Sequence, residues 1–261
     1  MARTVRPARL DRLLVEKGLA STRSQAKELI VAGLVLVDGI VALRPAAQVR
    51  ADRDVRIKSE EINWVGRGAR KLLSVLDGFG VEVRGKICAD FGASTGGFTE
   101  VLLHRGAQQV FAIDVGHGQL HYKLRNDERV VVMEGVNIRY MQGLSADDAS
   151  VQADLLVADL SFISLRLILP VVARVLRPCG EALVLVKPQF EAGPSEVGKG
   201  GRVLHEDVRQ RVIAEIAAHA GTLGLNVIDG KDSEVAGKRS GNVEHFLHLR
   251  RETSTLAELE A

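Results

Sequence analysis

Several strand-like runs in this 261-residue chain end in residues that can do chemistry. Ile87-Cys88-Ala89 leads into Asp90-Phe91-Gly92-Ala93-Ser94-Thr95-Gly96-Gly97-Phe98-Thr99, and Val101-Leu102-Leu103 follows. A strand, a glycine turn and a helix in that order bind nucleotide-like ligands in doubly wound α/β folds, and glycine lets backbone and ligand approach closely. The next apolar run, Val110 to Ile113, ends in Asp114, where an acidic side chain can take a ribose diol. Asp159 follows Val157-Ala158, and Lys187 follows the apolar residues Ala182 to Val186. Strand carboxyl ends in an open α/β sheet share one crevice, so Asp159, Lys187 and the glycine turn should face the same space. The plainer alternative is an Asp159–Lys187 ion pair that only fixes two loops.

Three ligands compete for the turn. A nicotinamide dinucleotide site has G-x-G-x-x-G, whereas the pattern from Gly92 is G-x-x-x-G-G. A phosphate-cradling P-loop closes on Gly-Lys-Ser/Thr, but Phe98 follows Gly97. S-adenosylmethionine is the common ligand left for a glycine turn with a ribose carboxylate. The alternative is a turn whose glycines serve packing alone.

The elements needed to position these residues are present. Lys71 to Leu76 reads as a helix ahead of the first strand, and strand-like runs follow at Ile87–Phe91, Val110–Val115, Val130–Met133, Leu155–Ala158, Ala182–Val186, Leu225–Ile228 and His245–Leu249. Seven strands with helices between them predict a doubly wound, mostly parallel α/β sheet. Glu191 to Arg202 holds Gly193, Gly198, Gly200 and Gly201 and reads as a mobile lid after Lys187. His117, His121 and His205 lack metal-ligand spacing, and Cys88 and Cys179 read as buried thiols; no metal is expected.

The first ~60 residues form a separate module. Leu10, Leu13 and Leu14 share a helical face that ends at Gly18. Thr22 and Gln25 match a capping box before Ala26, Leu29 and Ile30, and Gly33 closes this second helix. Asp38-Gly39 between Leu34–Val37 and Ile40-Val41 is a hairpin signal, and Val55 and Ile57 alternate as a last strand. Residues 1–60 carry 12 Lys/Arg against 7 Asp/Glu, net +5, while the rest carry 23 against 26, net −3. Such asymmetry points to a polyanion contact, with a solvated basic face as the alternative. The Arg-Leu-Asp-Arg-Leu-Leu opening and the Ser-Arg-(x)-Gln-Ala turn resemble an S4 RNA-binding domain. That resemblance implies that Arg9 and Arg12 on the leading helix, and Arg23 before the second, contact RNA phosphates.

Lys71, Asp159, Lys187 and Glu244 resemble the Lys-Asp-Lys-Glu tetrad of FtsJ-type ribose 2′-O-methyltransferases. With the S4-like opening, residues ~5 to 250 resemble the TlyA (hemolysin A) family of ribosomal RNA methyltransferases. The segments that carry the likeness are Gly66 to Leu72, Asp90 to Thr99, Asp114 to Leu120 and Val186 to Glu191, with Arg70 and Gly135-Val136 as local departures. The resemblance implies a Rossmann-like class I methyltransferase domain (68–252) behind a small α+β S4-like domain (1–61), with a linker at 62–67 and a tail at 253–261. It implies S-adenosylmethionine held by Gly92, Ala93, Ser94, Gly96, Gly97, Phe98, Asp114, Asn137 and Asp159, and RNA contacts that include Arg67. Lys187 would be the base, Asp159 its orienting partner, and Lys71 and Glu244 would position the ribose. Lysine ordinarily keeps its proton at neutral pH, with a pKa of about 10.4, so a lysine base needs desolvation or positive neighbours.

These features imply an enzyme that methylates a ribose, expected to be a cytidine's, in small- or large-subunit ribosomal RNA. Its partner would be that RNA or an assembled subunit, and it would act as a monomer. The alternatives are a non-catalytic RNA-binding assembly factor and a membrane-lytic protein. No apolar leader or run approaching the ~20 residues of a membrane span is visible, so a cytoplasmic location is expected. Trp64, the sole tryptophan, is expected to wedge between the two domains.

Overall fold

The computed structural model describes residues 7–57, 63–145, 151–203, 205–235 and 241–253. It divides into two compact units, Met1–Asn63 and Trp64–Ala261. The expected tail beyond residue 253 and the start of the expected linker lie outside the described residues.

In the first unit β1 (Pro7–Arg9) runs into α1 (Leu10–Glu16), followed by α2 (Arg23–Val31), β2 (Val35–Val37), β3 (Ile40–Val41), β4 (Gln48–Arg50) and β5 (Val55–Ile57). The β2–β3 hairpin turns on Asp38 and Gly39, with φ of 50° and 81°. Two successive left-handed residues make the tight turn that matches strand twist. Leu10, Leu13, Leu14, Ala26, Ile30 and Val35 fill a core closed to solvent. Thr22 caps α2 by accepting from the Gln25 N–H at 3.2 Å. The Gln25 side chain accepts from the Ser21 N–H rather than from Thr22, so the capping box is offset by one residue. Pairing of β1 with β4 was not expected: each strand is three residues long and too short to show a period.

In the second unit α3 (Gly68–Phe79), β6 (Ile87–Phe91), α4 (Gly97–His104), β7 (Gln109–Asp114), α5 (Tyr122–Arg125), β8 (Val130–Glu134), β9 (Ala153–Ala158), α6 (Leu169–Val175) and β10 (Leu176–Val186) alternate. They are followed by α7 (Pro188–Glu191), β11 (Val197–Gly198), β12 (Arg202–Val203), α8 (Glu206–Gly221), β13 (Leu225–Asp232) and β14 (His245–Arg251). The sheet order is β13-β14-β10-β9-β6-β7-β8. All seven expected strands are in it. The five from β10 to β8 are parallel, and β14 is antiparallel to both neighbours. Both faces are covered, so apolar runs continue along each strand while alternate residues enter different cores. Ala89 and Phe91 join the core that holds residues of α6 and α8, whereas Cys88 joins the one that holds residues of α3 and α4.

Trp64 packs on the core of the second unit, edge-on to His104 at 5.5 Å. Two details differ from expectation. Cys88 is buried, which pushes its thiol up to about 12, but Cys179 is exposed at a left-handed turn inside β10, with φ 59°. The expected lid carries the β11–β12 hairpin. The Asn242 carboxamide anchors it, accepting from the Val203 N–H at 3.0 Å and donating to Gly201 O and Gln189 Oε1, each at 2.9 Å.

Candidate active site

Four elements deliver four charged side chains to one place. Lys71 lies in the first turns of α3, Asp159 and Lys187 directly follow β9 and β10, and Glu244 directly precedes β14. Lys71 Nζ stands 2.6 Å from Glu244 Oε2 and 3.4 Å from Asp159 Oδ2. Lys187 Nζ stands 2.6 Å from Asp159 Oδ1 and donates to Ser161 Oγ at 2.9 Å. The Asp159–Lys187 pair is real, and it belongs to a longer chain of charges, Glu244–Lys71–Asp159–Lys187.

Burial and charge oppose each other along this chain. Burial pushes the Asp159 carboxyl up, but the Lys187 and Lys71 ammoniums outweigh it and hold the group below its ordinary value. Burial likewise disfavours the Lys71 ammonium, and the Asp159 and Glu244 carboxylates outweigh it and raise its pKa.

The tetrad lines a cavity of about 750 Å³ with the turn residues Gly92 to Thr95, Gly97 and Phe98. At Gly92, where φ is 85°, a Cβ would stand 2.9 Å from Asp159 O, so the turn closes tightly on the strand end that carries Asp159. At Gly96 a Cβ would meet Leu124 at 2.1 Å and Leu120 at 2.9 Å, and the residue is not among those that line the cavity.

Asp114 and Asn137, expected at the cofactor, also stand outside the cavity lining. Asp114 Oδ2 accepts from the Ser94 N–H at 2.8 Å and Oδ1 from the Gly116 N–H at 2.7 Å, which ties the glycine turn to the following loop. Gln119 lies against Gly116, and its Oε1 accepts from Ser94 Oγ at 3.2 Å. Asn137 accepts from the Arg139 N–H at 3.1 Å and so caps a short 3₁₀ turn. Of the expected RNA contacts, Arg67 lines the cavity and has no ion-pair partner among the described residues.

The three arginines of the first unit expected to contact RNA each have a carboxylate partner. Arg9 and Arg23 converge on Asp11 Oδ2 at 2.9 and 3.1 Å, and Asp11 is closed to solvent. The hydrogen bond from Arg9, with a further one from Arg23, holds the Asp11 carboxyl down at about 2. Arg9 belongs to β1 and stands at the N-cap position of α1, where its side chain makes no capping hydrogen bond, rather than in the helix itself. Arg12 pairs with Glu16 at 2.9 Å, one helical turn on.

Ser161, Phe162, Gln189, Phe190 and the Gly200-Gly201 tip of the hairpin also line the cavity without having been expected there. Phe162 is the clearest of them. It sits in the left-handed region at φ 64°, its side chain is 81% exposed, and its ring lies 5.2 Å from that of Phe190. Its signal in the sequence is only an aromatic residue three positions after a strand-end aspartate.

Sheet order, glycine turn and charged cavity together define a class I methyltransferase. A family model described as FtsJ-like methyltransferase matches residues 64–251, and one described as S4 domain matches residues 8–55. The chain belongs to the FtsJ-like methyltransferase family. It is 48% identical over 249 residues to the 16S/23S rRNA (cytidine-2′-O)-methyltransferase TlyA of Mycobacterium tuberculosis, covering 95% of this chain and 91% of that one. It is 44% identical over 253 residues to YqxC, a candidate rRNA methyltransferase of Bacillus subtilis, covering 94% of this chain and 86% of that one. The solved structure of a candidate hemolysin from Streptococcus thermophilus has a TM-score of 0.70 at 38% identity, covering 96% of this chain and 90% of that one.

Proposed function

We infer that the protein transfers a methyl group from S-adenosylmethionine to the ribose 2′-hydroxyl of a cytidine in ribosomal RNA. The observation that carries the reading is the convergence of Lys71, Asp159, Lys187 and Glu244 on the cavity walled by the glycine turn. The site suits that cofactor: peptide groups of the turn form one wall, and Asp114 keeps a carboxylate at the turn's edge. Bound there, S-adenosylmethionine supplies an electrophilic methyl carbon on a sulfonium.

Once Lys187 has released its own proton to solvent, its Nζ would take the proton of the ribose 2′-hydroxyl as the 2′-oxygen bonds to the methyl carbon that the bound cofactor would supply, the C–S electrons staying on sulfur. Asp159 holds Lys187 in place, and Lys71 and Glu244 hold the ribose. Alignment of the reacting atoms can contribute as much as proton removal. Phe162, with a free ring face at the cavity rim, offers a stacking surface for a base. Residues 1–61 deliver the RNA and residues 68–252 carry the chemistry, joined by 62–67 and followed by the tail at 253–261. The partner is ribosomal RNA, free or within a subunit, and the working form is a cytoplasmic monomer.

Purified protein, labelled S-adenosylmethionine and isolated small and large ribosomal subunits test the reading. Label should appear on the 2′-oxygen of a mapped cytidine. RNA binding without any transfer would favour an assembly factor. Lysis of vesicles without transfer would favour the membrane-lytic alternative; no helix among the described residues is long and apolar enough to cross a membrane.

A further inference from the structure

A lysine that has given up its proton keeps two N–H bonds and one lone pair, and it rotates freely about its Cε–Nζ bond. Only the lone pair can take a proton from a hydroxyl. With a single acceptor nearby, the second N–H and the lone pair exchange places. With a hydroxyl accepting one N–H and an anion beside the nitrogen, the anion draws the second N–H and repels the lone pair, which takes the remaining tetrahedral direction. Lys187 Nζ donates to Ser161 Oγ at 2.9 Å and has Asp159 Oδ1 beside it at 2.6 Å, an ion-pair contact outside hydrogen-bond geometry. The lysine itself lines the cavity.

We propose that Ser161 is a positioning residue for methyl transfer, its hydroxyl acting with Asp159 to aim the lone pair of Lys187 at the incoming ribose hydroxyl. This rests on the reading of Lys187 as the proton acceptor. The position of Ser161 is built into the fold by ties between its loop and α7, the helix that starts directly after Lys187. Phe162 packs on Phe190 of α7 with ring centres 5.2 Å apart. Glu191 of α7 accepts from Ser164 Oγ at 2.6 Å and from the Leu165 N–H at 2.8 Å. The left-handed φ of Phe162, 64°, turns the chain immediately after Ser161. A non-glycine residue keeps such a conformation only where its surroundings impose it. The other charged groups of this corner, Lys71 and Glu244, connect to Lys187 only through Asp159.

The test is single-turnover and steady-state methyl transfer by the full-length protein carrying Ser161→Ala, Ser161→Thr or Lys187→Met. Ser161→Ala should lower kcat roughly three- to tenfold, the fold-change of losing one hydrogen bond. KM for RNA and for S-adenosylmethionine should stay within about twofold, and the thermal midpoint should not move, because Ser161 is exposed. Ser161→Thr keeps the hydroxyl, its extra methyl can face solvent, and it should restore kcat. An unchanged kcat in Ser161→Ala, a loss confined to KM, or no recovery with threonine in a normally folded protein would overturn the proposal. Lys187→Met separates it from the reading beneath it. If that variant keeps more than about a tenth of the wild-type rate, Lys187 is not the proton acceptor, since a general base contributes ~10²–10⁴-fold. If it is inactive while Ser161→Ala is fully active, only the role of Ser161 falls.

Discussion

Two aspartates, Asp90 near the end of β6 and Asp159 just past the end of the adjacent strand β9, meet burial in opposite ways. Asp159 lies between two lysines, and their charges keep it ionised despite the low-polarity surroundings. Asp90 lies in the core beneath the glycine turn with Thr99 as partner: the threonine hydroxyl donates to Oδ2 at 2.6 Å, and Oδ1 has no hydrogen-bond partner among the described residues. Burial therefore pushes the Asp90 carboxyl up to about 7, and the bonds from Thr99 offset it only partly. The same residue type, buried after an apolar run, is a fixed anion in one strand and a group near neutrality in the next. A cation within reach decides between them, and that cation comes from a distant segment.

Removing a cation from the paired end should have the largest effect on stability. Lys71→Met leaves Glu244, itself buried, without the ammonium 2.6 Å away and takes one of two cations from Asp159. Breaking a buried pair on one side costs about 3–5 kcal/mol, readable as a lower urea midpoint with an unchanged slope. The sign with pH follows from the wild-type shifts. Asp159, with a depressed pKa, contributes stability that is full above its ordinary value of 3.8 and is lost as pH falls through the folded value. Lys71, with a raised pKa, contributes below its ordinary value of 10.5 and loses that contribution as pH rises through the folded value. The deficit of the variant should thus be greatest between about pH 4 and pH 10 and shrink in acid. A deficit that grows in acid would mean that the network does not stabilise the fold through charge.

Asp90→Asn addresses the unpaired end. A carboxyl with an ordinary value of 3.8 and a folded value of about 7 binds its proton more tightly in the folded state, so stability falls as pH rises between those values and is flat above them. Asparagine has no such cost and can still accept from Thr99. Its advantage over the wild type should therefore grow from pH 4 to pH 7, reaching on the order of 2–4 kcal/mol, and level off by pH 8. Thermal midpoints of both proteins across that range would show it. Parallel curves would place Asp90 among ordinary ionised carboxylates, with an unrecognised donor on Oδ1.

Much of this was legible in the chain, for identifiable reasons. Apolar runs with alternate residues feeding two cores mark the sheet strands, and a charged residue ending such a run, as with Asp159 and Lys187, has little choice but to face the crevice. Lys71 and Glu244 lie 88 residues before and 85 residues after Asp159. No local period links them to it, and only the family likeness marked them. Ser161 was invisible because one serine in a loop has no pattern, and its importance arises from the direction in which Lys187 points. At Asn137 and Gly96 residue type alone does not separate two readings, since a cap and a tight helix contact demand the same residue types as a ligand does. The arginines of the first unit show the same limit, since charge and spacing marked Arg9 and Arg23 but not the buried Asp11 that orients both.

Asp114 differs from both in its partners. It ends β7, on the other side of β6 from β9, and its oxygens accept from neutral donors, the peptide N–H groups of Ser94 and Gly116. A carboxylate that accepts one N–H on each oxygen has lone pairs left for further donors such as ribose hydroxyls. Asp114→Ala should weaken S-adenosylmethionine binding by on the order of 1–3 kcal/mol, the range for losing a hydrogen bond to a charged group, while kcat at saturating cofactor falls much less. Titration calorimetry against S-adenosylmethionine and S-adenosylhomocysteine gives the affinities. The variant also releases the two peptide groups that tie the glycine turn to the next loop, so its thermal midpoint must be measured alongside. Asp114→Asn separates the effects: its amide oxygen can still accept from one peptide while the charge is gone. If asparagine restores the midpoint but not the affinity, the carboxylate itself meets the cofactor. If asparagine restores both, Asp114 acts by bracing the turn, and the ribose contact must be sought elsewhere along the loop from Val115 to Leu120. Unchanged affinity in the alanine variant, or tighter binding of a nicotinamide dinucleotide than of the methyl donor, would remove Asp114 from the cofactor site altogether.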